Sequence, residues 1–93
     1  MTDRVRVRIM VSGRVQGVFF RRNIRGRALK LGLVGWVRNL PDGRVETIIE
    51  GEREKVEKMI KWAQKGPLWA RVDKVDVEWQ EHTGEFDRFE IKY

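Results

Sequence analysis

The part of this chain best suited to chemistry is the run Gly13-Arg14-Val15-Gln16-Gly17-Val18, with Arg21 three residues beyond it. Glycines let a main chain curl around an anion with no side chain in the way. The N–H groups of such a loop can then converge on a tetrahedral oxyanion, and phosphate is the usual guest. Arg21 adds a planar fork of donors that matches two phosphate oxygens better than an ammonium would. Read as bare chemistry, this is an oxyanion cradle with one arginine clamp. The loop lacks the Gly-Lys-Ser/Thr ending of a Walker A motif, and with it the hydroxyl that holds magnesium. On spacing alone, the two glycines fit a plain bend between two elements just as well.

Such a loop must be held between rigid elements. Upstream, Val5, Val7, Ile9 and Val11 alternate with Arg4, Arg6, Arg8 and Met10, the period of a strand with one buried face. Downstream, Phe20, Ile24, Ala28 and Leu31 fall at helical spacing, and Gly32 stands where helices take a left-handed cap. The loop thus leaves a strand and enters a helix, where the positive end of the helix dipole also favours an anion. Val34–Leu40 and Arg44–Glu50 read as a hairpin around the turn Pro41-Asp42-Gly43. A second helix begins near Glu52 with an acidic first turn, carries Val56, Met59, Ile60 and Ala63 on one face, and ends at Gly66-Pro67. Val75, Val77 and Trp79 alternate as a fourth strand. Phe89, Ile91 and Tyr93 alternate at the end, after a turn at Thr83-Gly84 that makes a short extra hairpin.

The order βαβ–βαβ predicts a split βαβ, ferredoxin-like α+β sandwich of a single domain, residues 1–93. Its sheet is antiparallel and both helices cover the Val5/Val7/Ile9/Val11 face. This fold hosts many activities and names none.

Composition narrows the classes. With 93 residues, 41% of them apolar, the chain can build one core, so disorder and coiled coil are poor readings. No apolar run approaches the roughly 18 residues of a membrane span, and the N-terminal residues resemble neither a signal nor a transit peptide. Cys is absent, which removes disulfides, zinc–thiolate sites and a thiol nucleophile; the expected address is the cytoplasm. Charged residues reach 37%, against about 25% in an average soluble protein, while only two Asn and three Gln occur. These signs predict a thermostable protein. The net charge of +6 is uneven: residues 1–45 hold eleven Lys/Arg against two Asp/Glu, residues 46–93 nine against twelve. A cationic half of this kind attracts anions.

The run Val11-Ser12-Gly13-Arg14-Val15-Gln16-Gly17-Val18-Phe19-Phe20-Arg21 resembles the signature of the acylphosphatase family. Leu31-Gly32-Leu33-Val34-Gly35-Trp36-Val37-Arg38-Asn39 is similar to that family's second signature, and the likeness continues through Pro41-Asp42-Gly43, Glu50-Gly51, Gly66-Pro67 and Phe89–Tyr93. The resemblance implies hydrolysis of acyl phosphates to a carboxylate and inorganic phosphate, without metal or cofactor. It implies that Arg21 binds the phosphoryl group beside the main-chain amides of Arg14, Val15, Gln16, Gly17 and Val18. It also implies that Asn39 holds the attacking water, so Arg21 and Asn39 are the expected catalytic pair. The expected partners are a small acyl phosphate and the phosphate product, with no membrane and with the chain a monomer.

The residues are consistent with that chemistry. An acyl phosphate expels a carboxylate whose conjugate acid has a pKa of about 4, so the leaving group needs no proton. A phosphate monoester would call for a general acid, and neither signature contains His, Asp or Glu. The single histidine, His82, lies in a polar turn region and reads as a surface residue. The four Trp residues, 36, 62, 69 and 79, read as packing rather than stacking platforms, and Asp73 and Asp76 as a solvated strand face. RNA-recognition domains share the architecture and often the basic charge, but read bases with aromatics on exposed strands. Here the first strand turns Arg4, Arg6, Arg8 and Met10 outward, so nucleic acid is the weaker expectation.

Overall fold

Period-two burial in the first strand decides the layering. Val5, Val7, Ile9 and Val11 are all buried, and they line up with the buried Gly51, Ile49, Thr47 and Val45 of the strand beside them. Residues directly opposite in an antiparallel pair share a face, so one side of the sheet becomes a continuous apolar surface. The structure, a computed structural model, describes residues 3–17 and 19–93. In chain order the elements are β1 (Arg4–Arg14), α1 (Phe20–Leu31), β2 (Val34–Asn39), β3 (Val45–Glu52), α2 (Arg53–Lys65), β4 (Arg71–Gln80) and β5 (Phe89–Lys92). Phe20, Ile24 and Ala28 of α1 and Val56 and Met59 of α2 fall at helical spacing and bury against that one face. The fold is the expected ferredoxin-like α+β sandwich.

The strands lie in the order β4-β1-β3-β2-β5. Three of the four pairings are antiparallel, as expected, but β5 runs parallel to β2, so the sheet is mixed. The expected hairpin between the last two strands does not form. β4 and β5 occupy opposite edges of the sheet, and a parallel neighbour cannot be reached by a tight turn. The segment from 81 to 88 instead has to cross from one edge to the other, and on its way it meets Glu50 of β3, at the centre of the sheet.

Glu50 is fully buried on the helix-free face. It accepts hydrogen bonds from the Thr83 N–H (3.0 Å), the Thr83 hydroxyl (2.8 Å), the Gly84 N–H (3.0 Å) and Arg6 (3.2 Å). Burial alone would push its carboxyl up. The donors of Thr83, Gly84 and Arg6 outweigh burial and hold it below the usual carboxylate range. Glu85 pairs with the same Arg6, and the Arg6 guanidinium lies 5.3 Å from the Phe86 ring centroid. Glu46, four residues earlier in β3 on the same face, is held low in the same way: burial would raise it, and the bonds from Arg8 and Arg38 outweigh burial. Of the outward arginines of β1, Arg6 and Arg8 are therefore engaged in ion pairs, Arg4 is exposed, and Met10 is buried.

The tryptophans divide. Trp62 of α2 packs on the core, its ring 5.7 Å from that of Phe20. Trp69 is exposed in the connection after α2, and Trp79 is half exposed near the end of β4 with the Arg53 guanidinium over its ring. Trp36 lies on the helix-free face between Arg38 and Lys92. The expectation of packing thus holds for Trp62 and fails for Trp69, which follows the helix-ending Gly66-Pro67 and so projects from a loop with no sheet beneath it.

Candidate active site

Two of the loop's features follow from its strand. Pairing of β1 with β4 slips between Ser12 and Gly13, a bulge at which Gly13 adopts φ 127° and passes so close to Arg71 that a Cβ would strike its carbonyl oxygen. Gly13 therefore serves the strand pairing. Gly17 takes φ 73° with open space where a side chain would stand. Arg14 remains in β1, opposite Arg71, and Val15 is buried. Val18, expected in the cradle, lies outside the described residues.

Phe19, the residue before α1, is the one described non-glycine residue with positive φ (60°, ψ 23°). A bulky side chain in this region costs about 1–3 kcal/mol and persists only where its surroundings enforce it. Its ring is 65% exposed, so burial does not explain the conformation. The first turn of α1 has no side-chain cap and no acidic residue. Its first N–H groups thus have no side-chain cap from Phe19, and no acidic side chain of the first turn faces the positive end of its dipole.

Beside the loop opens a cavity of about 310 Å³. Val15, Gly17, Phe19, Phe20, Arg21 and Arg22 line it from the loop and α1, Asn39 from the end of β2, and Ile91 and Tyr93 from β5 and the residue after it. Among the described residues, the lining contains two guanidinium groups and no Asp or Glu side chain. Of the residues expected from the sequence, the structure brings together Val15, Gly17, Arg21 and Asn39; Arg14 and Gln16 do not line the cavity.

Asn39 pairs with Val45 at the end of the hairpin, on the helix side of the sheet. Its Oδ1 is buried and, among the described residues, is the one buried side-chain polar atom without a hydrogen-bond partner. Leaving a buried acceptor unpaired costs about 1–3 kcal/mol, so this carbonyl stands out in the folded chain. Arg21 is half-buried, without a carboxylate partner among the described residues. It donates to the Lys92 carbonyl at a long 3.4 Å and lies 4.9 Å from the Tyr93 ring centroid. One turn along α1, Arg25 donates to the Phe89 carbonyl at 3.3 Å. The two arginines tie α1 to β5.

Sequence reading missed the side chain of Gln16. Its Nε2 donates to the carbonyls of Leu40 (2.8 Å) and Arg44 (3.0 Å), on either side of the β2–β3 turn. The loop is thereby fastened to the hairpin that carries Asn39. A lone Gln in a glycine loop gives no hint of this, because both acceptors are main-chain atoms. Phe19, Ile91 and Tyr93 were missed as lining residues for the same reason: only the fold brings them together.

Comparison with known proteins decides the family. The acylphosphatase family model matches residues 7–91. An acylphosphatase of Anaeromyxobacter dehalogenans is 55% identical over 93 residues, the whole of both chains. The chain belongs to the acylphosphatase family. Among solved acylphosphatase structures, that from Bacillus subtilis superposes with a TM-score of 0.92 at 36% identity, covering 96% of this chain and 99% of that one. The one from Coxiella burnetii gives 0.91 at 37% identity, covering 97% and 94%. Among the described residues of this acylphosphatase-family chain no cluster of His, Asp and Glu could hold a metal ion. Among the described residues no helix is long and apolar enough to cross a membrane.

Proposed function

We propose that this chain hydrolyses acyl phosphates at the cavity beside the 13–19 loop. Water bonds to phosphorus, and the phosphorus–oxygen bond to the acyl group breaks. The carboxylate departs with the bonding pair, and both water protons finish on phosphate: an acyl phosphate dianion and water become a carboxylate and dihydrogen phosphate. Arg21 and the main-chain N–H groups of Val15 and Gly17, with those opening α1, hold the phosphoryl oxygens. Asn39 accepts a hydrogen bond from the water through Oδ1 and so aims a lone pair of the water at phosphorus. Gln16 keeps cradle and carboxamide in register.

The observation that carries this reading is the unpaired, buried Oδ1 of Asn39 in the same cavity as Arg21. A neutral amide is too weak a base to take the proton, so a non-bridging oxygen of the substrate receives it. Phosphoryl transfer leaves a protein mainly with positioning and charge stabilisation, and no metal or general acid enters the scheme.

Hydrolysis of a synthetic acyl phosphate in ¹⁸O-water tests the reading. The label is expected in the phosphate, with phosphate monoesters left intact. Label in the carboxylate would place the attack at carbon and remove the role given to Asn39; no phosphate release at all would remove the activity.

A further inference from the structure

Helix α1 carries Arg21, Arg22, Arg25, Arg27 and Lys30 and not one acidic residue. Spacings of three and four residues put several of these like charges side by side, which weakens a helix. Helix α2, by contrast, mixes both signs. Arg21 and Arg25 are turned to the carbonyls of β5. Arg22, Arg27 and Lys30 have no carboxylate or carbonyl partner among the described residues; Arg22 and Arg27 rest over the rings of Phe19 and Trp62.

These three cations border a second, larger hollow of about 570 Å³, lined by Phe19, Arg22, Asn23, Gly26, Arg27 and Lys30. Phe19 and Arg22 line the phosphoryl cavity as well, so the two hollows adjoin. Gly26 stands in mid-helix with nothing within 4 Å of where a Cβ would lie. Ala would suit the helix better there, and glycine leaves the floor of the hollow open. From Arg22 to Lys30 the hollow follows about 12 Å of helix.

We infer that this hollow is the acyl-group subsite and that it selects acyl phosphates whose acyl part bears a second anionic group, a carboxylate or a phosphate. Resting on the proposed hydrolysis, it adds the substrate class. Phe19 and Arg22 border both hollows, so a ligand whose phosphoryl group sits in the first would extend its acyl end toward the second. The cations would then attract its far end, where an uncharged acyl chain would gain nothing.

The test compares kcat/KM for pentanoyl phosphate and for glutaryl monophosphate, in which a carboxylate replaces the terminal methyl. The intact chain is expected to favour the glutaryl compound by about tenfold or more, chiefly through KM, and to lose much of that preference in 0.5 M salt. Two variants keep the helix while changing the charge: Lys30→Gln, and Gly26→Glu, which also raises helix propensity. Each is expected to lower the glutaryl-to-pentanoyl ratio, Gly26→Glu to about one or below. Equal kcat/KM for both compounds in the intact chain overturns the subsite and leaves the hydrolysis standing. A preference that survives in both variants also overturns it. Failure to hydrolyse either compound overturns the hydrolysis and the subsite together.

Discussion

The carboxamide of Gln16 donates to the main-chain carbonyl of Leu40 at 2.8 Å, joining the loop before α1 to the residue after Asn39. Removing this donor leaves the Leu40 and Arg44 carbonyls with their main-chain partners alone, the N–H groups of Gly43 and Leu40, and frees the loop to drift from the hairpin. Gln16→Leu is expected to lower stability by about 1–2 kcal/mol and kcat by about tenfold or more. Urea denaturation and steady-state phosphate release measure the two separately. A kcat unchanged in a folded variant refutes the fastening role.

Arg21 makes one long hydrogen bond, lies over the exposed Tyr93 ring and has no ion pair among the described residues, so its hold on β5 adds only modestly to stability. Arg21→Ala should therefore melt within a few degrees of the parent. Loss of one donor aimed at developing charge typically costs about 100-fold in rate, and loss of a whole guanidinium should exceed that. Retention of more than a tenth of the activity would show that another group holds the phosphoryl oxygens.

Asn39→Ala removes a polar atom that has no partner in the fold, so no stability should be lost with it. The expected result is kcat down by about 100-fold, with inhibition by inorganic phosphate altered less than threefold. If phosphate inhibition weakens while kcat holds, Asn39 binds the phosphoryl group and does not steer water.

Phe19 at φ 60° gives the simplest test of stored strain. Glycine accepts this conformation freely, so Phe19→Gly should stabilise the chain by up to about 1 kcal/mol despite the lost side chain. Activity should fall, because the loop then samples other shapes. A variant both less stable and fully active would mean that the ring, and not the backbone, matters.

Glu50 and Glu46 both have carboxyls held low in the folded state. Their contribution to stability is present above the unfolded-state pKa of about 4.3 and is lost as pH falls through the lower folded-state value. Denaturation followed from pH 7 to pH 2.5 should show a level stability that declines only below about pH 4–5. Glu50→Gln should cost about 1–3 kcal/mol at pH 7, since the bonds that Thr83, Gly84 and Arg6 donate to a charged acceptor weaken while Arg6 keeps Glu85. The gap to the parent should narrow in acid; a gap constant with pH would mean that packing alone is responsible.

Patterning in the sequence carried the layers because burial is periodic. Val5 to Val11 alternate, Phe20, Ile24 and Ala28 recur at helical spacing, and each period survives in the folded chain. The final topology was less legible: nothing in residues 81–88 announces that they cross the sheet, since the anchor, Glu50, sits in β3 amid apolar neighbours and reads there as an ordinary outward charge. The candidate site divides the same way. Gly17, Arg21 and Asn39 stand out by type and by resemblance to a family. The fastening by Gln16 and the wall from Ile91 and Tyr93 depend on contacts between distant segments, which local spacing does not encode.

The cavity takes one wall from β5, the strand formed from the end of the sequence and paired parallel to β2. A chain that has folded everything but this strand would carry the cradle, Arg21 and Asn39 yet lack a closed reaction chamber. Turnover regained during refolding would then serve as a clock for the docking of the last strand, running behind any optical probe that reports only the helices.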